Sequence, residues 1–368
     1  MTGACRCRFC RSTAGEIVLD LGQQPACDHF PWAGDRGPDP SYPLRMWLCT
    51  HCGLAQLAED PTMPDEPRGT EPAALVAQAA DAVARVGAVG LLPRGATVAE
   101  YGSPHGGSWL KLLAGHGVRP VGRSEAADVL IDCFGLMHEQ DQAAALQARV
   151  NRLRPGGVLL VQFHSLATIL RCGQWNALRH GHYAYYSMPA IVAMLASVGL
   201  TPRTVFQFPL YGGTVLLAAS RDGQPDAAVE ALLDAEHTAG VLEAEVIVDL
   251  QAAAEFAAAR LSGWLVAQRD AGRRVFGYSA ASRAIALLCR AGVTPKLLPA
   301  IADAAPAKRG RRMPGSGVPI ISPGELAEAR PHEVLLFVPD LLAEVRAALP
   351  QLEESGGRWV PFEGTAGP

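Results

Sequence analysis

The sequence CRFC at Cys7–Cys10 and the sequence CTHC at Cys49–Cys52 decide the fold of the N-terminal segment. In each motif two residues separate the cysteines, the spacing at which a tight turn directs two sulfur atoms at one tetrahedral metal ion. Two such pairs complete a four-sulfur shell, so the sequence predicts a structural zinc ion. Because protein ligands would fill every coordination position, we expect the metal to stabilise a small domain and not to activate water. The predicted ligands are Cys7, Cys10, Cys49 and Cys52.

The sequence leaves other interpretations of the cysteines open. Cys5 or His51 could replace one of the four ligands, and the motif does not distinguish zinc from iron. Disulfides are disfavoured because the cysteines cluster at the N-terminus, where the residues lack the apolar stretch of a signal peptide. A redox role is disfavoured too, since neither pair opens a helix after a buried strand. Reduced, metal-free thiols are the remaining alternative.

The composition is typical of a globular protein. The chain has 368 residues, enough for two or three domains, with 49% hydrophobic and 18% charged residues. Its formal net charge of -4 offers no basic surface for a polyanion, so we expect no nucleic-acid partner. The longest apolar runs, such as 333–339 and 157–163, are much shorter than the ~20 residues of a membrane span. We therefore predict a cytoplasmic protein without membrane association.

An alternation of strands and helices follows the cysteine-rich segment. Residues 59–72 are rich in proline and acidic side chains, which predicts a linker. The sequence TVAEYG at Thr97–Gly102 predicts a buried strand that runs into a glycine turn. A helix is predicted over 141–153, and further strands are predicted at 119–122, 128–134 and 157–163. This order indicates a doubly wound α/β domain, in which helices cover both faces of a parallel sheet.

The C-terminal part predicts a second α/β unit. An alanine-rich amphipathic helix, continuous or broken once, is predicted over 227–270. Alternating strands and helices follow it, at 274–278, 281–290, 334–338 and 341–349. We thus predict three domains: a zinc-binding domain at 1–72, an α/β domain at 73–222 and a second α/β domain at 223–368.

Several separate motifs point to one family. Besides the cysteines, the chain contains LGQQP at Leu21–Pro25, EYGSPHG at Glu100–Gly106, HGHYAYYS at His180–Ser187, YGG at Tyr211–Gly213 and GYSA at Gly277–Ala280. In order and wording these segments resemble the zinc-binding, S-adenosylmethionine-dependent C-methyltransferases that act on nucleotide-linked 4-keto deoxysugars in antibiotic pathways. The resemblance implies a Rossmann-like class I methyltransferase domain between the zinc-binding domain and a C-terminal Rossmann-like domain.

The resemblance also implies a methyl-donor site. The segment at Glu100–Gly106 is similar to the family's E-I-G-S-N-D-G loop, and Glu125 corresponds to the acidic residue that holds the ribose of S-adenosylmethionine. The expected cofactor-binding residues are Gly102, Ser103, Gly106 and Glu125. The alternative for the glycines is a tight strand-to-helix turn that binds nothing.

Two histidines correspond to the reacting centre of the family. His182 matches the last histidine of its H-E-H motif, the base that removes the proton next to the ketone, and His138 matches a second histidine near the sugar. A histidine suits proton transfer near neutral pH. The expected substrate-binding residues are Tyr183, Tyr186, Tyr211 and Lys308. Core packing is the alternative for the tyrosines of the HGHYAYYS segment, and a solvated charge is the alternative for Lys308.

The chain also departs from the family pattern. The glutamate of H-E-H is Gly181, and the tyrosine before the motif is Arg179. The family's tyrosine-serine segment is absent between Asp60 and Ala73. A helix and a strand that normally follow the ribose-binding acid are missing, because only two residues separate Glu125 from the next strand. We therefore expect a more open or rebuilt cofactor pocket.

Three hypotheses for function follow. The first is C-methylation next to a ketone, on a sugar nucleotide or a related natural-product intermediate. The second is an enzyme that kept proton abstraction but lost methyl transfer, and that catalyses isomerisation, epimerisation or elimination. The third is a catalytically inactive scaffold. Binding of S-adenosylmethionine separates the first hypothesis from the other two.

Overall fold

The N-terminal segment forms an antiparallel sheet. The computed structural model describes residues 5–35, 37–62, 71–102, 107–122 and 124–362. The first three strands are β1 (Gly15–Pro25), β2 (Ser41–Cys49) and β3 (Ala55–Leu57). They pair in the order β1-β2-β3, and β2 ends at the first cysteine of the second motif. Of the predicted linker, residues 63–70 lie outside the described residues.

The middle part alternates strands and helices, as the sequence predicts. Its elements are α1 (Ala73–Ala88), β4 (Thr97–Tyr101), β5 (Arg119–Pro120), β6 (Ala127–Cys133), α2 (Gln142–Val150), β7 (Leu153–His164), α3 (Leu166–Arg171), β8 (Ala184–Tyr185), α4 (Met188–Ser197), β9 (Thr201–Phe208) and β10 (Thr214–Ser220). Side-chain oxygens of Asp141, Ser165 and Ser187 accept backbone N–H groups at the starts of α2, α3 and α4, which stabilises these helix ends.

Six of these strands form one sheet in the order β5-β4-β6-β7-β10-β9. Strands β5, β4, β6 and β7 are parallel, whereas β10 is antiparallel to both of its neighbours. Every residue of β10 is buried, as is typical of a strand covered on both faces. The edge strand β5 has only two residues, both exposed, and the chain passes from it directly to β6. This topology confirms the prediction of a Rossmann-like domain that lacks one helix-strand unit.

Strand β8 does not belong to the six-stranded sheet; it is the fourth strand of the N-terminal sheet. It pairs antiparallel with β3, so that Ala55 faces Tyr185 and Gln56 faces Ala184. The HGHYAYYS segment is therefore held against the cysteine-rich region. The domain boundaries at 72 and 222 stay predictions, and strands from both sides of the boundary at 72 share this sheet.

The C-terminal part forms a parallel sheet in the order β13-β12-β11-β14-β15. Its elements are α5 (Ala227–Thr238), α6 (Ala244–Ile247), α7 (Asp249–Asp270), β11 (Val275–Tyr278), α8 (Arg283–Arg290), β12 (Ile301–Ala302), β13 (Ile320–Ile321), α9 (Pro323–Ala329), β14 (Glu333–Leu336), α10 (Leu342–Ala348), α11 (Pro350–Glu354) and β15 (Arg358–Pro361). The long helix predicted over 227–270 is divided into α5, α6 and α7. Gly240, with a φ of +63°, lies in the first break. No helix in the described part of the chain is both long and apolar enough to cross a bilayer.

The N-terminal and C-terminal parts share a hydrophobic core. It contains Leu19 and Leu44 of the first sheet together with Leu261 of α7 and Ile285 of α8, each no more than 1% exposed. The ion pair between Asp39 and Arg312, whose N···O distance is 2.6 Å, joins the same two parts. The zinc-binding segment is therefore packed against the last domain and does not extend into solvent.

Candidate active site and metal centre

The four predicted metal ligands converge. The sulfur atoms of Cys7, Cys10, Cys49 and Cys52 all lie within 4.8 Å of one another. The Sγ atoms of Cys7 and Cys52 are 3.6 Å apart, as are those of Cys10 and Cys49. A tetrahedral ion with metal–sulfur bonds of about 2.3 Å requires sulfur separations of about 3.8 Å. The site therefore fits a structural zinc ion, with all four positions filled by thiolates.

The alternatives for the cysteines are not supported by the described residues. The sulfur of Cys5 contacts the carbonyl of Ala58 and the amide of Gln56, and neither Cys5 nor His51 belongs to the metal-ligand group. All nine cysteines are free of disulfides. A glycine shapes the second turn, because Gly53 has a φ of +74° and donates its N–H to the carbonyl of Cys49 at 2.8 Å.

A cavity of about 380 Å³ lies at the carboxyl ends of the strands of both large sheets. Ser108, Cys133 and His164 line it from the six-stranded sheet, and Ser279 and Asp303 line it from the five-stranded sheet. Ligands of open α/β sheets bind at such carboxyl ends. Both α/β domains therefore contribute to one binding site.

Strained backbone marks the walls of this cavity. Five described residues other than glycine have a positive φ, and three of them line the cavity: Phe134, Tyr211 and Ser279, with φ of 58°, 56° and 69°. Such conformations cost of order 1–3 kcal/mol each and cluster at ligand sites. Their position supports the assignment of the cavity as the functional site.

The two predicted catalytic histidines lie side by side on the cavity wall. The ring centroids of His138 and His182 are 4.5 Å apart, and the planes meet edge to face. The carbonyl oxygen of Gly181 is 2.9 Å from Nδ1 of His138. Because a carbonyl only accepts, Nδ1 carries the hydrogen and Nε2 is the basic nitrogen of the neutral ring. The structure thus brings together residues that are 44 positions apart in the sequence.

A buried ion pair positions the segment that carries His138. The carboxylate of Asp132 accepts an N–H of Arg149 at 2.5 Å and the backbone N–H groups of Gly135 and Leu136 at 2.8 and 2.9 Å. Neither charged side chain is more than 2% exposed. Burial raises the pKa of Asp132. These contacts of Asp132 therefore hold the turn after β6 in place.

The position of Gly181 explains a departure from the family. Its φ is +80°, and a Cβ atom there would lie 2.7 Å from Oδ2 of Asp28. The N–H of Gly181 donates to Asp60 at 2.6 Å. A glutamate would fit this backbone only after a rearrangement.

The predicted substrate residues divide into two groups. Tyr211 and Lys308 line the cavity, whereas Tyr183 and Tyr186 do not. The hydroxyl of Tyr183 accepts from Gln140 at 2.9 Å, and that of Tyr186 donates to the side-chain carbonyl of Gln142. A substrate role of these two tyrosines stays a prediction.

Lys308 is a buried member of the cavity wall. The residue is only 5% exposed, its Nζ donates to the carbonyl of Ala280 at 2.8 Å, and Nζ lies 4.5 Å from the ring centroid of Phe30. The charge therefore faces the cavity instead of bulk solvent.

The predicted cofactor residues are only partly described. Ser103 and Gly106 lie outside the described residues. Gly102 directly follows β4, and a Cβ atom there would lie 3.6 Å from the carbonyl oxygen of the cavity residue Gly107. Glu125 is exposed, accepts the N–H of Gly122 at 2.9 Å and does not line the cavity. The role of all four in cofactor binding stays a prediction.

Sequence reasoning missed a cationic end of the cavity. Arg283, at the start of α8, lies with its guanidinium carbon 5.3 Å from the ring centroid of Tyr211. Burial and the nearby Arg179 lower the pKa of Arg283 to about 10. Burial, assisted by the same two arginines, lowers the pKa of His164 to about 3, so this ring is neutral. The available signal was the position of Arg283 just after a parallel strand.

Comparisons with known proteins find family matches for two segments of the chain. Residues 209–362 match the family described as "C-methyltransferase C-terminal domain", and residues 7–65 match the family described as "Putative zinc binding domain". Two separate segments of the chain are thus similar to these two families. This finding confirms the resemblance that the sequence motifs indicate.

One curated relative is the C-methyltransferase NovU of Streptomyces niveus. It is 26% identical to this chain over 231 residues, which cover 62% of this chain and 54% of NovU. The chain therefore spans about half the length of this relative.

Among solved structures, an O-methyltransferase family protein from Burkholderia thailandensis matches part of this chain. Its TM-score is 0.30, with 16% identity over 41% of this chain and 58% of that chain. Magnesium protoporphyrin IX methyltransferase of Synechocystis PCC 6803 has a TM-score of 0.29, with 13% identity over 39% of this chain and 83% of that chain. Scores of this size support no argument, and the fold class rests on the observed sheets.

Proposed function

We propose that this chain is an S-adenosylmethionine-dependent C-methyltransferase that adds a methyl group to the carbon next to a ketone. The observation that carries the proposal is the pair His138 and His182 on the wall of a cavity at the carboxyl ends of two sheets. The two matched families and the relative NovU support the same reaction class.

Carbon methylation requires a base next to the acceptor. The proton on the carbon beside the ketone must be removed so that the resulting enolate can attack a methyl group in line. We assign this step to His182, with His138 holding its position through ring contact and the carbonyl of Gly181. The positive side chains of Arg179 and Arg283, which line the same cavity, favour the negative charge that develops on the ketone oxygen.

The methyl donor fits the part of the cavity that belongs to the six-stranded sheet. This part is lined by Gly107, Ser108 and Trp109, by Cys133 at the end of β6, and by Phe134 directly after it. Glu100 holds the segment 107–109 in place, because its carboxylate accepts from the hydroxyl of Ser108 and the N–H of Trp109, each at 2.7 Å. When bound there, S-adenosylmethionine supplies an electrophilic methyl group. These residues would hold and orient it.

The acceptor that we propose is a nucleotide-linked keto deoxysugar or a related intermediate of an antibiotic pathway. The resemblance of the HGHYAYYS and GYSA segments to the sugar C-methyltransferases supports this class. The cytoplasmic location stays a prediction.

A second candidate function has one observation in its favour. The two-residue edge strand β5 leaves the outer edge of the sheet without the strand expected to cover the adenosine of the donor. An enzyme that only abstracts a proton, and that isomerises, epimerises or eliminates, needs no such cover.

Two measurements separate the candidates. The purified protein is titrated with S-adenosylmethionine and S-adenosylhomocysteine by calorimetry, and then incubated in D₂O with a thymidine diphosphate-linked 4-keto-6-deoxyglucose. Donor binding together with a methylated product supports the methyltransferase. Deuterium uptake without donor binding supports the second candidate. If the protein shows neither donor binding nor deuterium uptake, only the scaffold hypothesis remains.

A matched pair of variants tests the base. His182→Ala is expected to abolish deuterium uptake and methyl transfer, whereas His237→Ala, at an exposed position of α5, is expected to retain both. Full activity of His182→Ala would refute the assignment.

A further inference from the structure

Two arginines converge at one end of the cavity, which we call the arginine recess and define by Arg179, Arg283, Tyr211 and His164. All four residues line the cavity. Arg179 follows the loop after α3, and Arg283 begins α8 of the last domain, so the recess is assembled from two domains. The sequence shows no sign of this convergence, because the arginines are 104 positions apart.

Neither arginine has a carboxylate partner among the described residues. Arg283 forms no ion pair or hydrogen bond in the described part of the chain; its guanidinium lies against the ring of Tyr211, and Asp340 is near enough to favour its charged form. Arg179 donates from Nη1 to the hydroxyl of Ser282 at 2.5 Å, while its Nε is buried without a partner. Two guanidinium groups thus stand together without an ion-paired carboxylate, which is unfavourable unless a ligand supplies a paired anion.

The neighbouring groups do not neutralise the recess. Asp303 accepts the N–H groups of Ala280 and Ala305, each at 2.8 Å. Asp340 accepts the N–H of Tyr211 at 3.2 Å but forms no ion pair with either arginine in the described structure. His164 is neutral, because burial lowers its pKa to about 3. The recess therefore keeps a net positive charge that is open to the cavity.

The recess lies close to the proposed base. The backbone carbonyl of Arg179 accepts the N–H of His182 at 3.3 Å, and both side chains line the same cavity. A group held by Arg179 therefore occupies the same cavity as the carbon that His182 would deprotonate. A planar guanidinium fork matches the paired oxygens of a carboxylate or a phosphate.

We propose that the arginine recess binds a compact oxyanion, a carboxylate or a phosphate ester, carried by the acceptor within a few bonds of its ketone. This inference rests on the proposed function only in taking the cavity as the acceptor site. It narrows the acceptor to an anionic ketone, and it explains why an arginine replaces the tyrosine that the related C-methyltransferases have before their catalytic motif.

The test compares matched ketones without any methyl donor, so it is independent of methyl transfer. Binding of 2-oxobutanoate is compared with that of 2-oxobutanamide, and binding of dihydroxyacetone phosphate with that of dihydroxyacetone, by calorimetry. In at least one pair the anion is expected to bind about tenfold tighter or more, as charged hydrogen bonds allow. The pair that shows the preference identifies the oxyanion as a carboxylate or a phosphate.

Three variants assign the preference to the recess. Arg179→Gln and Arg283→Gln are each expected to remove it, whereas Arg269→Gln, at an exposed position near the end of α7, is expected to retain it. If either glutamine variant fails to fold by circular dichroism, Arg283→Lys keeps the test open, because it preserves the charge and should retain part of the preference.

Three results would overturn the proposed oxyanion site. Equal binding within both pairs, no binding of either anion at about 10 mM, or a preference that survives both glutamine variants would each refute the oxyanion site. Methyl transfer to a ketone without any such preference would refute this inference and leave the proposed function standing.

Discussion

Replacing Gly181 by alanine should destabilise the protein by a predictable amount. The left-handed backbone at this position, with a φ of +80°, costs a residue with a Cβ atom about 1–2 kcal/mol. The new Cβ would also lie 2.7 Å from Oδ2 of Asp28, and displacing that carboxylate should cost roughly 1 kcal/mol more. We therefore expect the free energy of unfolding to fall by about 2–3 kcal/mol.

Urea denaturation measures this change, and another glycine provides the control. Gly272 also has a positive φ, of +69°, but no atom lies within 4 Å of its ideal Cβ position. Gly272→Ala should therefore show only the backbone cost of about 1–2 kcal/mol. The difference between the two variants isolates the contact with Asp28, and the double variant Asp28→Ala, Gly181→Ala should recover most of that difference.

The same substitution should also impair the site. The carbonyl of Gly181 holds His138, and its N–H is held by Asp60, so a shift of this peptide displaces the histidine pair. We expect deuterium uptake to fall by about tenfold to a hundredfold, and Gly181→Glu, which restores the residue of the family, to be no better. The reasoning would be refuted if Gly181→Ala were no less stable than Gly272→Ala, or if Gly181→Glu increased activity.

Three further predictions concern the metal, pH and the domain contact. Cys49→Ser should reduce bound zinc below one equivalent by elemental analysis and lower the melting temperature, because Cys49 is fully buried in the metal site; an unchanged metal content would contradict the four-thiolate assignment. His164 binds a proton in the unfolded state below pH ~6.5 but not in the folded state, where burial lowers its pKa to about 3, so stability should fall with decreasing pH. Between pH 7 and 5 the free energy of unfolding of the wild type should fall by about 2 kcal/mol more than that of His164→Gln. Equal changes in the urea midpoints of the two proteins over this pH range would contradict the prediction. Asp39→Ala should cost about 3 kcal/mol, because it leaves the nearly buried guanidinium of Arg312 without its partner; a loss below about 0.5 kcal/mol would show that the contact between the N-terminal and C-terminal parts does not depend on this pair.

Local patterns in the sequence predict much of this fold. The C-x-x-C spacing predicts the metal site, because a short turn fixes two sulfurs without distant contacts. Apolar runs bounded by glycine predict strands such as β4 and β11, which are buried on both faces. The shortness of the segment between Glu125 and β6 likewise predicts the missing helix-strand unit.

Contacts between segments that are distant in the chain could not be predicted from the sequence. Strand β8 has only two residues and owes its pairing with β3 to the position of both segments in the fold. The tyrosines of the HGHYAYYS segment are chemically alike, yet Tyr185 lines the cavity while Tyr183 and Tyr186 point elsewhere. Arg283 is recognisable only after the two sheets face each other across the cavity.

The reaction at carbon is tested most directly with S-adenosylmethionine that carries a ¹³C-labelled methyl group. The labelled donor and the keto sugar nucleotide are incubated with the wild type and with His182→Ala, and the product is examined by carbon–proton correlation spectroscopy. The label should appear as a methyl group bonded to the carbon next to the carbonyl, with the wild type and not with the variant. A label on oxygen or nitrogen, or equal labelling by both proteins, would contradict a histidine-dependent C-methyltransferase.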